Sequence, residues 1–344
     1  MLPAEALSDV TRIHDVLETV PQPMLIMAEG RVLAANRAAR ELLGQHILGE
    51  DIRLAIRHPA AAEQLRDPAP ANPDVPVHLV GLGTRDQRWE MRIRDAGDWR
   101  VVHLTDRTES HAAERMRVNF VANASHELRT PLASILGYVE TLREGAAEDP
   151  ATAERFLKTV HDEAQRMQRL VDDLISLSRI EADQYSAPDM AVDLAALIDE
   201  VRRELTAGQS QRGADLVTEL EALPAVRGDR AQLSQLLHNI VGNAMKYGRA
   251  GTPITIRAQP AGGMVRIAVS DHSEGIPATH IPRLTERFYR VDEGRSRVSG
   301  TGLGLAIVKH IVERHRGQLD IASTVGEGTT VTVLLPAKPA VIKW

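Results

Sequence analysis

The chain has 344 residues, of which 43% are hydrophobic and 26% are charged, and its formal net charge is −6. This length and composition predict a globular protein of two or three domains. The charge gives no support for nucleic acid as the main partner, and the absence of cysteine excludes disulfides, thiolate metal sites and cysteine nucleophiles.

Residues 10–108 predict a small α/β domain. Two apolar runs, PMLIM and RVLAAN, flank a turn at Glu29-Gly30 and have the composition of short strands. The segments HLVGLG, RWEMRIR and WRVVHLTD predict three more strands, and AANRAARELLG has the spacing of a helix. The stretch DPAPANPDVP is a proline-rich loop within this domain.

Residues 109–186 predict an antiparallel helical hairpin whose turn lies between Gly145 and Pro150. Apolar residues recur at spacings of three and four along both arms. One hairpin leaves this stripe half-covered, so we expect two chains to pair into a dimeric four-helix bundle. The stripe comprises Ser125, Leu128, Leu132, Ile135, Val139 and Leu142 on the first arm, and Phe156, Val160, Met167, Leu170, Leu174 and Leu177 on the second.

Residues 190–337 predict an α/β sandwich, which makes the whole chain a multidomain α+β protein. Asp229 can cap a helix that runs through Tyr247. A second helix begins near Leu303 and ends at Gly317, a residue suited to a left-handed turn. TPITIRAQ with MVRIAVS, and QLDIAS with TTVTVLLP, predict two β-hairpins, and a long irregular stretch between them is a candidate functional loop.

His126 follows the stripe residue Ser125, so helical spacing predicts an imidazole beside the core that faces water, where a large phosphate donor can reach it. A carboxylate at Glu127 can accept one ring N–H, which leaves the other ring nitrogen its lone pair for attack. Thr130 shares the face of His126 and can position a water, and Pro131 is expected to bend the helix. The alternative is an ordinary surface histidine on a bundle helix.

In LLHNIVGNAMKYG, the side chains of Asn239, Asn243, Lys246 and Tyr247 share one helix face. Two amides, an ammonium group and a phenol are costly to bury without partners, and Mg²⁺ and phosphate would satisfy them. A solvated polar face is the alternative.

Two later segments extend this interpretation. Asp271 stands at the tip of a strand, where its carboxylate can accept the exocyclic amine of adenine. Gly300, Gly302 and Gly304 open a helix, where glycines allow backbone N–H groups to approach phosphate. Glycines that serve packing or a hinge are the alternative explanation for this cluster.

SHELRTP resembles the phosphoacceptor box of sensor histidine kinases. That resemblance implies that His126 accepts the phosphoryl group, that Glu127 is its general base or orienter, and that Thr130 serves the reverse phosphatase reaction. The later boxes, in their order, resemble the ATP-binding domain that histidine kinases share with gyrase-type topoisomerases, the MutL repair protein and the ninety-kilodalton heat-shock chaperone. RFYRVDEGRSR between them resembles the kinases' phenylalanine-containing segment and ATP lid.

The same resemblance assigns roles in nucleotide binding. It implies that Asn243 holds Mg²⁺, that Lys246 and Tyr247 contact phosphates and sugar, and that Asp271 contacts adenine. Further nucleotide-binding residues implied by these boxes are Asn239, Gly275, Gly300, Gly302, Gly304 and Thr329. The chain departs from the usual D-x-G-x-G pattern because Ser273 replaces the first glycine. If that position needs a positive φ, a serine costs on the order of 1 kcal/mol, and weaker nucleotide binding is expected.

The first domain resembles PAS sensor domains. The best local match is LTDRTES, where Asp106 and Thr108 match the segment by which PAS domains lead into a signalling helix. The kinase boxes look particularly like those of phosphate-regulon sensor kinases. We therefore expect ATP and Mg²⁺ as cofactors, a response regulator receiver domain as partner and a homodimer through the hairpin. No apolar run approaches the roughly 18 residues of a membrane span, so the expected location is cytoplasmic, as a whole protein or as the cytoplasmic portion of a membrane-anchored sensor.

Two rival functions remain open from the sequence, and Thr130 leaves open a third possibility, that net phosphatase activity dominates. One is an ATPase that drives conformational change, which would share the ATP boxes but would not need SHELRTP on a bundle helix. The other is a pseudokinase scaffold that binds a regulator without phosphorylating it, for which Ser273 is the only support.

Overall fold

The structure is a computed structural model that describes residues 15–66, 75–183, 186–208, 212–291 and 300–338. It divides into two compact units, Met1–Val121 and Ala122–Trp344. Most of the predicted proline-rich loop and the second half of the predicted lid segment lie outside the described residues. No helix among the described residues is long and apolar enough to cross a bilayer.

The first unit is built on one antiparallel sheet in the order β2-β1-β5-β4-β3. Alternate residues of its strands turn inward, where Leu25, Met91 and Leu104 are buried, as the apolar runs predict. The strands are β1 (Met24–Ala28), β2 (Arg31–Ala35), β3 (Val77–Val80), β4 (Arg88–Ala96) and β5 (Trp99–Asp106), and the helices are α1 (Arg37–Leu43), α2 (Ile52–Ala55) and α3 (Pro59–Arg66).

The sheet passes into a long helix at the Asp106–Thr108 exit. The Thr108 amide donates to Asp106 Oδ1 at 2.8 Å, and Thr108 Oγ1 accepts from the Arg88 amide at 3.0 Å. Arg107 also pairs with Glu90 of β4 at 3.1 Å. These contacts fix the start of the helix to the central part of the sheet, as a capped helix start requires.

Two long helices form the predicted hairpin, α4 (Thr108–Arg143) and α5 (Pro150–Ala182). Helix α4 begins at Thr108, one residue before the predicted start of the hairpin at residue 109, and continues past Pro131. In the turn, Gly145 has φ 121° and the side chain of Asp149 caps α5, whose first residue is Pro150. Apolar side chains remain exposed along both arms, namely Met116, Val118, Val121, Leu132, Leu136 and Val139 on α4 and Leu157, Val171 and Ile175 on α5.

The sandwich has a five-stranded sheet in the order β11-β12-β10-β9-β7, antiparallel except that β7 runs parallel to β9. Its helices bury one apolar face of the sheet, and the two β-hairpins form as predicted. The strands are β6 (Ala191–Val192), β7 (Leu216–Leu220), β8 (Val226–Arg227), β9 (Ile254–Ala261), β10 (Met264–Asp271), β11 (Gln318–Thr324) and β12 (Gly328–Pro336), and the helices are α6 (Leu194–Gly208), α7 (Arg230–Tyr247) and α8 (Gly304–Arg314).

Helix termini in the sandwich confirm one prediction and correct another. Asp229 caps α7 by accepting from the amides of Ala231 and Gln232. The residue that adopts the left-handed conformation after α8 is Arg316, with φ 54°. The prediction of this conformation at Gly317 was therefore wrong by one position. Gly317 is needed for another reason, because a Cβ there would collide with the carbonyl oxygen of the neighbouring strand β12.

A buried histidine ties the end of α8 to the start of α7. His315 is neutral by its hydrogen bonds, because Nδ1 contacts the Ile311 carbonyl oxygen at 2.7 Å and Nε2 accepts from the Asp229 amide at 3.0 Å. Burial lowers the pKa of His315 below its ordinary value of 6.5. Protonation would place a second donor against the Asp229 amide.

His315 therefore makes the stability of the sandwich depend on pH. The unfolded chain binds a proton on His315 more tightly than the folded chain does. The contribution of His315 to the free energy of unfolding is therefore complete above the ordinary histidine pKa of 6.5, and it is lost as the pH falls through the lowered pKa of the folded state. Between about pH 7.5 and pH 5 the free energy of unfolding of the wild type should decrease. We expect this decrease to be smaller in His315→Gln by on the order of 1 kcal/mol. Denaturant unfolding at both pH values measures this, and equal losses in both proteins would contradict it.

Candidate functional site

The first component of the site is an exposed imidazole on α4. His126 is exposed, as predicted, and Thr130 Oγ1 donates to the His126 carbonyl oxygen at 3.3 Å. Glu127 is half-buried and accepts from Arg166 of α5 at 3.5 Å. Arg166 also lies 3.9 Å from Glu163, the charged residue that interrupts the apolar stripe of α5. The role of Glu127 as orienter of the His126 ring stays a prediction.

The second component is a cleft between the end of α7 and the start of α8. A Cβ built on Gly304 would lie 3.5 Å from Asn239 Oδ1, so the first turn of α8 faces the amide stripe of α7. A Cβ on Gly300 would collide with Lys246 Nζ and would lie 3.7 Å from the Tyr247 hydroxyl. The structure therefore brings the predicted glycine box against the predicted polar face.

The polar face has unused bonding capacity on the described residues. Asn239 Nδ2 is buried and has no hydrogen-bond partner there, and Asn243, one turn on, is half-buried. Lys246 Nζ lies 4.6 Å from the centre of the Tyr247 ring, a distance at which the ring attracts the ammonium group. A buried donor without a partner costs free energy, and a polyphosphate would satisfy it.

The third component is the end of β10, where Asp271 pairs with Thr329 of β12. Asp271 Oδ1 accepts from the Ser273 amide at 2.9 Å. Ser273 Oγ lies 3.3 Å from Thr329 Oγ1 and accepts from the Gly275 amide at 3.3 Å. These contacts bring the predicted residues Asp271, Gly275 and Thr329 together.

The expected strain at Ser273 is not present. Among the described residues other than glycine, positive φ occurs at Glu29, Phe288 and Arg316, so Ser273 has an ordinary backbone conformation. The premise that a serine is strained at this position was therefore wrong, and the prediction of weakened or altered nucleotide binding stays a prediction. The glycine that needs its freedom in this segment is Gly275, with φ 72° and with the Thr324 carbonyl oxygen where a Cβ would stand.

A fourth feature was not predicted, namely a polar seam that joins the sandwich to α5. Thr301, inside the glycine box, donates to Asp173 Oδ2 at 3.0 Å, and burial raises the pKa of Asp173. Arg287 pairs with Glu181, and His310 lies 3.6 Å from the same carboxylate. A sequence signal existed, because Asp173 sits at helical spacing from Leu170 and Leu177 and interrupts their stripe.

The seam is displaced along the hairpin from His126. The Glu127–Arg166 contact places His126 near the level of residue 166 on α5. Asp173 lies seven residues further on, which is about 10 Å along a helix axis. The glycine box thus contacts the hairpin about two turns away from the exposed imidazole.

Comparisons with known proteins agree with this arrangement. Three family models match the chain: a PAS domain over residues 11–72, a His Kinase A (phospho-acceptor) domain over residues 116–183, and a Histidine kinase-, DNA gyrase B-, and HSP90-like ATPase over residues 228–339. The phosphate regulon sensor protein PhoR of Pseudomonas aeruginosa is 37% identical over 94% of this chain and 74% of its own length. The chain belongs to the sensor histidine kinases.

Other relatives and solved structures share parts of this kinase. The sensor protein kinase WalK of Staphylococcus aureus is 37% identical over 69% of the chain, which spans 58% of WalK. The histidine kinase AdeS of Acinetobacter baumannii is 25% identical over 62% of the chain and 98% of that structure, with a TM-score of 0.50. The histidine kinase ThkA, solved in complex with the response regulator TrrA, covers 94% of the chain with 20% identity and a TM-score of 0.52, which shows the fold.

The packing of Gly302 gives a test of the cleft. Gly302 has φ 69°, and a Cβ there would lie 2.7 Å from the Phe288 carbonyl carbon, so Gly302→Ala must displace the glycine box. We expect ATP affinity, measured by calorimetry, to fall by about tenfold or more, because misplaced amides lose their phosphate contacts.

Gly251→Ala is the matched control. Gly251 has a similar φ of 76° but open space around its Cβ position, so it tests backbone strain without the collision. ATP affinity should be unchanged in this variant. Equal losses in the two variants would show that the glycine box has no special part in nucleotide binding.

Proposed function

We propose that this kinase phosphorylates itself on His126 from Mg-ATP and passes the phosphoryl group to an aspartate of a response regulator. The observation that carries the proposal is that an exposed imidazole and a polar, glycine-lined cleft belong to one compact unit. We assign residues 10–108 to the sensor domain, 109–186 to the phosphoacceptor hairpin and 190–337 to the ATP-binding domain.

The residues of the cleft fit a nucleoside triphosphate. Asp271 would accept from the adenine amine, the amides of Gly302 and Gly304 would bind phosphate, and Lys246 would neutralise its charge. Among the described residues no three His, Asp or Glu side chains converge as a metal site, so Mg²⁺ would take oxygens from Asn243 and from the phosphates. When bound, the ion stabilises the negative charge that develops on the transferred group.

His126 would act as the nucleophile. One ring nitrogen attacks the γ-phosphorus in line, an N–P bond forms, the bond from that phosphorus to the bridging oxygen breaks, and ADP leaves. A carboxylate at Glu127 would hold the proton of the other ring nitrogen, which fixes the tautomer. In the structure the Glu127 carboxylate lies 3.5 Å from Arg166 of α5.

The sandwich must move before this reaction. In the structure Thr301 of the glycine box bonds Asp173, about 10 Å along α5 from the level of His126. An in-line attack needs the reacting atoms about 3 Å apart. We infer that the seam opens and that the ATP-binding domain then approaches His126.

Transfer of the γ-phosphoryl group has a direct test. With γ-labelled ATP, the wild-type chain should acquire acid-labile, base-stable phosphate, and His126→Gln should acquire none, because the amide side chain has no nucleophilic ring nitrogen. His161→Ala is the matched control, since His161 is also exposed on the hairpin.

The outcomes separate the rival functions. ATP hydrolysis without labelling of the wild type would favour an ATPase that drives conformational change. ATP binding without hydrolysis and without labelling would favour a scaffold. Label retained in His126→Gln would contradict the assignment of the phosphoacceptor.

The partner follows from the same chemistry. A phosphoramidate is high in energy, so transfer to a receiver aspartate is downhill, and the hairpin around His126 is the docking surface. ThkA, solved with the regulator TrrA, and PhoR, a phosphate regulon sensor by name, support a response regulator and a phosphate stimulus for this kinase. Thr130, one turn from His126, would position water in the reverse phosphatase reaction.

The homodimer is supported by the apolar side chains that remain exposed along both arms of the hairpin. Leu136 is 60% exposed and lies in a run of apolar side chains on α4 that a second hairpin would cover. Leu136→Lys should convert a dimer to a monomer in light scattering, because a charge would be buried without a partner. Leu54→Lys, at a 54% exposed position of α2, should leave the mass unchanged. A monomeric wild type, or an unaffected Leu136→Lys dimer, would contradict this interface.

A further inference from the structure

Four hydroxyl and carboxyl side chains meet where β10 ends beside β12. Ser273, which stands where related kinases have glycine, is only 6% exposed. Its Oγ lies 3.3 Å from Thr329 Oγ1, which in turn lies 2.9 Å from Ser323 Oγ. Asp271 Oδ1 is held by the Ser273 amide. The chain of hydroxyls thus starts beside the carboxylate that would contact the base.

The direction of each hydrogen bond follows from the fixed backbone partners. The Ser323 hydroxyl donates to the Gly328 carbonyl oxygen at 2.8 Å, and Ser323 Oγ accepts from the Ile276 amide at 2.9 Å. Its proton is therefore committed, so Thr329 must donate to Ser323. Thr329 has one proton and cannot also donate to Ser273.

Among these three hydroxyl groups, the proton of Ser273 is consequently the one that has no obligatory acceptor. It can point to Thr329 Oγ1, but 3.3 Å is long for a bond between hydroxyls, whose usual separation is about 2.8 Å. Ser273 Oγ is itself anchored as an acceptor of the Gly275 amide. A ligand acceptor placed beside Asp271 would offer the Ser273 proton a better partner.

We propose that Ser273 is a specificity-determining residue for the nucleotide base: its hydroxyl donates to the adenine ring nitrogen that adjoins the amino group, while Asp271 accepts from that amino group. The inference rests on the proposed ATP-dependent function. Adenine presents a donor and an acceptor side by side, which match the carboxylate and the hydroxyl. Guanine presents a carbonyl oxygen and a ring N–H at these positions, so both contacts would be mismatched.

The ordinary backbone conformation of Ser273 is consistent with this role. Because its φ is not positive, the serine side chain is accommodated without strain. A glycine at this position would leave the ring nitrogen without a protein donor. Serine in place of glycine would therefore add a contact to the base and strengthen nucleotide binding, whereas strain at this position would weaken it.

The test compares ATP with 1-deaza-ATP, in which the ring nitrogen is replaced by a C–H group, in equilibrium binding to the full chain. Ser273→Ala and Ser273→Gly should each lower the affinity for ATP about fivefold, as expected for one net hydrogen bond, and leave the affinity for 1-deaza-ATP unchanged. Ser270→Ala is the matched control, since its hydroxyl pairs with Thr330 one rung away on the same strands. It should change neither affinity.

A merely structural role would lower both affinities together, and either that result or no change would overturn the proposal. Asp271→Asn separates this failure from failure of the proposed function. If the wild type binds ATP and Asp271→Asn weakens it, the cleft is a nucleotide site whatever Ser273 does. If the wild type binds no ATP, both the proposed function and the proposed role of Ser273 are contradicted.

Discussion

A phosphoryl-accepting imidazole has to lie in water on a rigid support, whereas the triphosphate that serves it needs a lined and partly buried cleft. One small core cannot meet both requirements at the same place. In this kinase the imidazole of His126 is exposed on a long helix, and the cleft is formed by the ends of two shorter helices in the sandwich. Because these two parts are separate, the proposed reaction requires them to move relative to each other.

The contacts that hold the sandwich on α5 are suited to such movement. They are mostly polar and partly exposed, as in the Arg287–Glu181 pair, and exposed ion pairs contribute about 0–1 kcal/mol each. Leu177 and Ile180, on the part of α5 next to α8, add buried apolar area. Because Thr301 donates to Asp173, the glycine box itself takes part in the seam, so a carboxylate lies beside the loop that would bind phosphate. A phosphate bound by this loop would be repelled by that carboxylate, so nucleotide binding as proposed would oppose the docked arrangement.

Much of the fold was predictable because it depends on local periodicity. Alternating apolar residues gave the β-hairpins, the spacing of three and four gave the long hairpin, and Asp229 marked the start of α7. The exposure of His126 followed from its place beside the stripe. The predicted role of each nucleotide-binding side chain remains a proposal, although the structure does bring the glycine box against Asn239, Lys246 and Tyr247.

Features that depend on tertiary contacts were not predictable. Ser273 has no positive φ, whereas Arg316 has a left-handed φ of 54° directly before Gly317, which packs against β12. The pairing of Thr301 with Asp173 joins residues 128 positions apart. No local pattern encodes a contact across that distance, although an acidic residue within an apolar stripe is a usable signal.

The central claim is that phosphorus from ATP reaches the imidazole of His126. Its most direct measurement is mass spectrometric mapping of the wild-type chain after incubation with Mg-ATP, with digestion at mildly alkaline pH so that phosphohistidine survives. We expect one modified histidine, in the peptide that contains SHELRTP. Phosphate on another histidine, or only on serine or threonine, would contradict it.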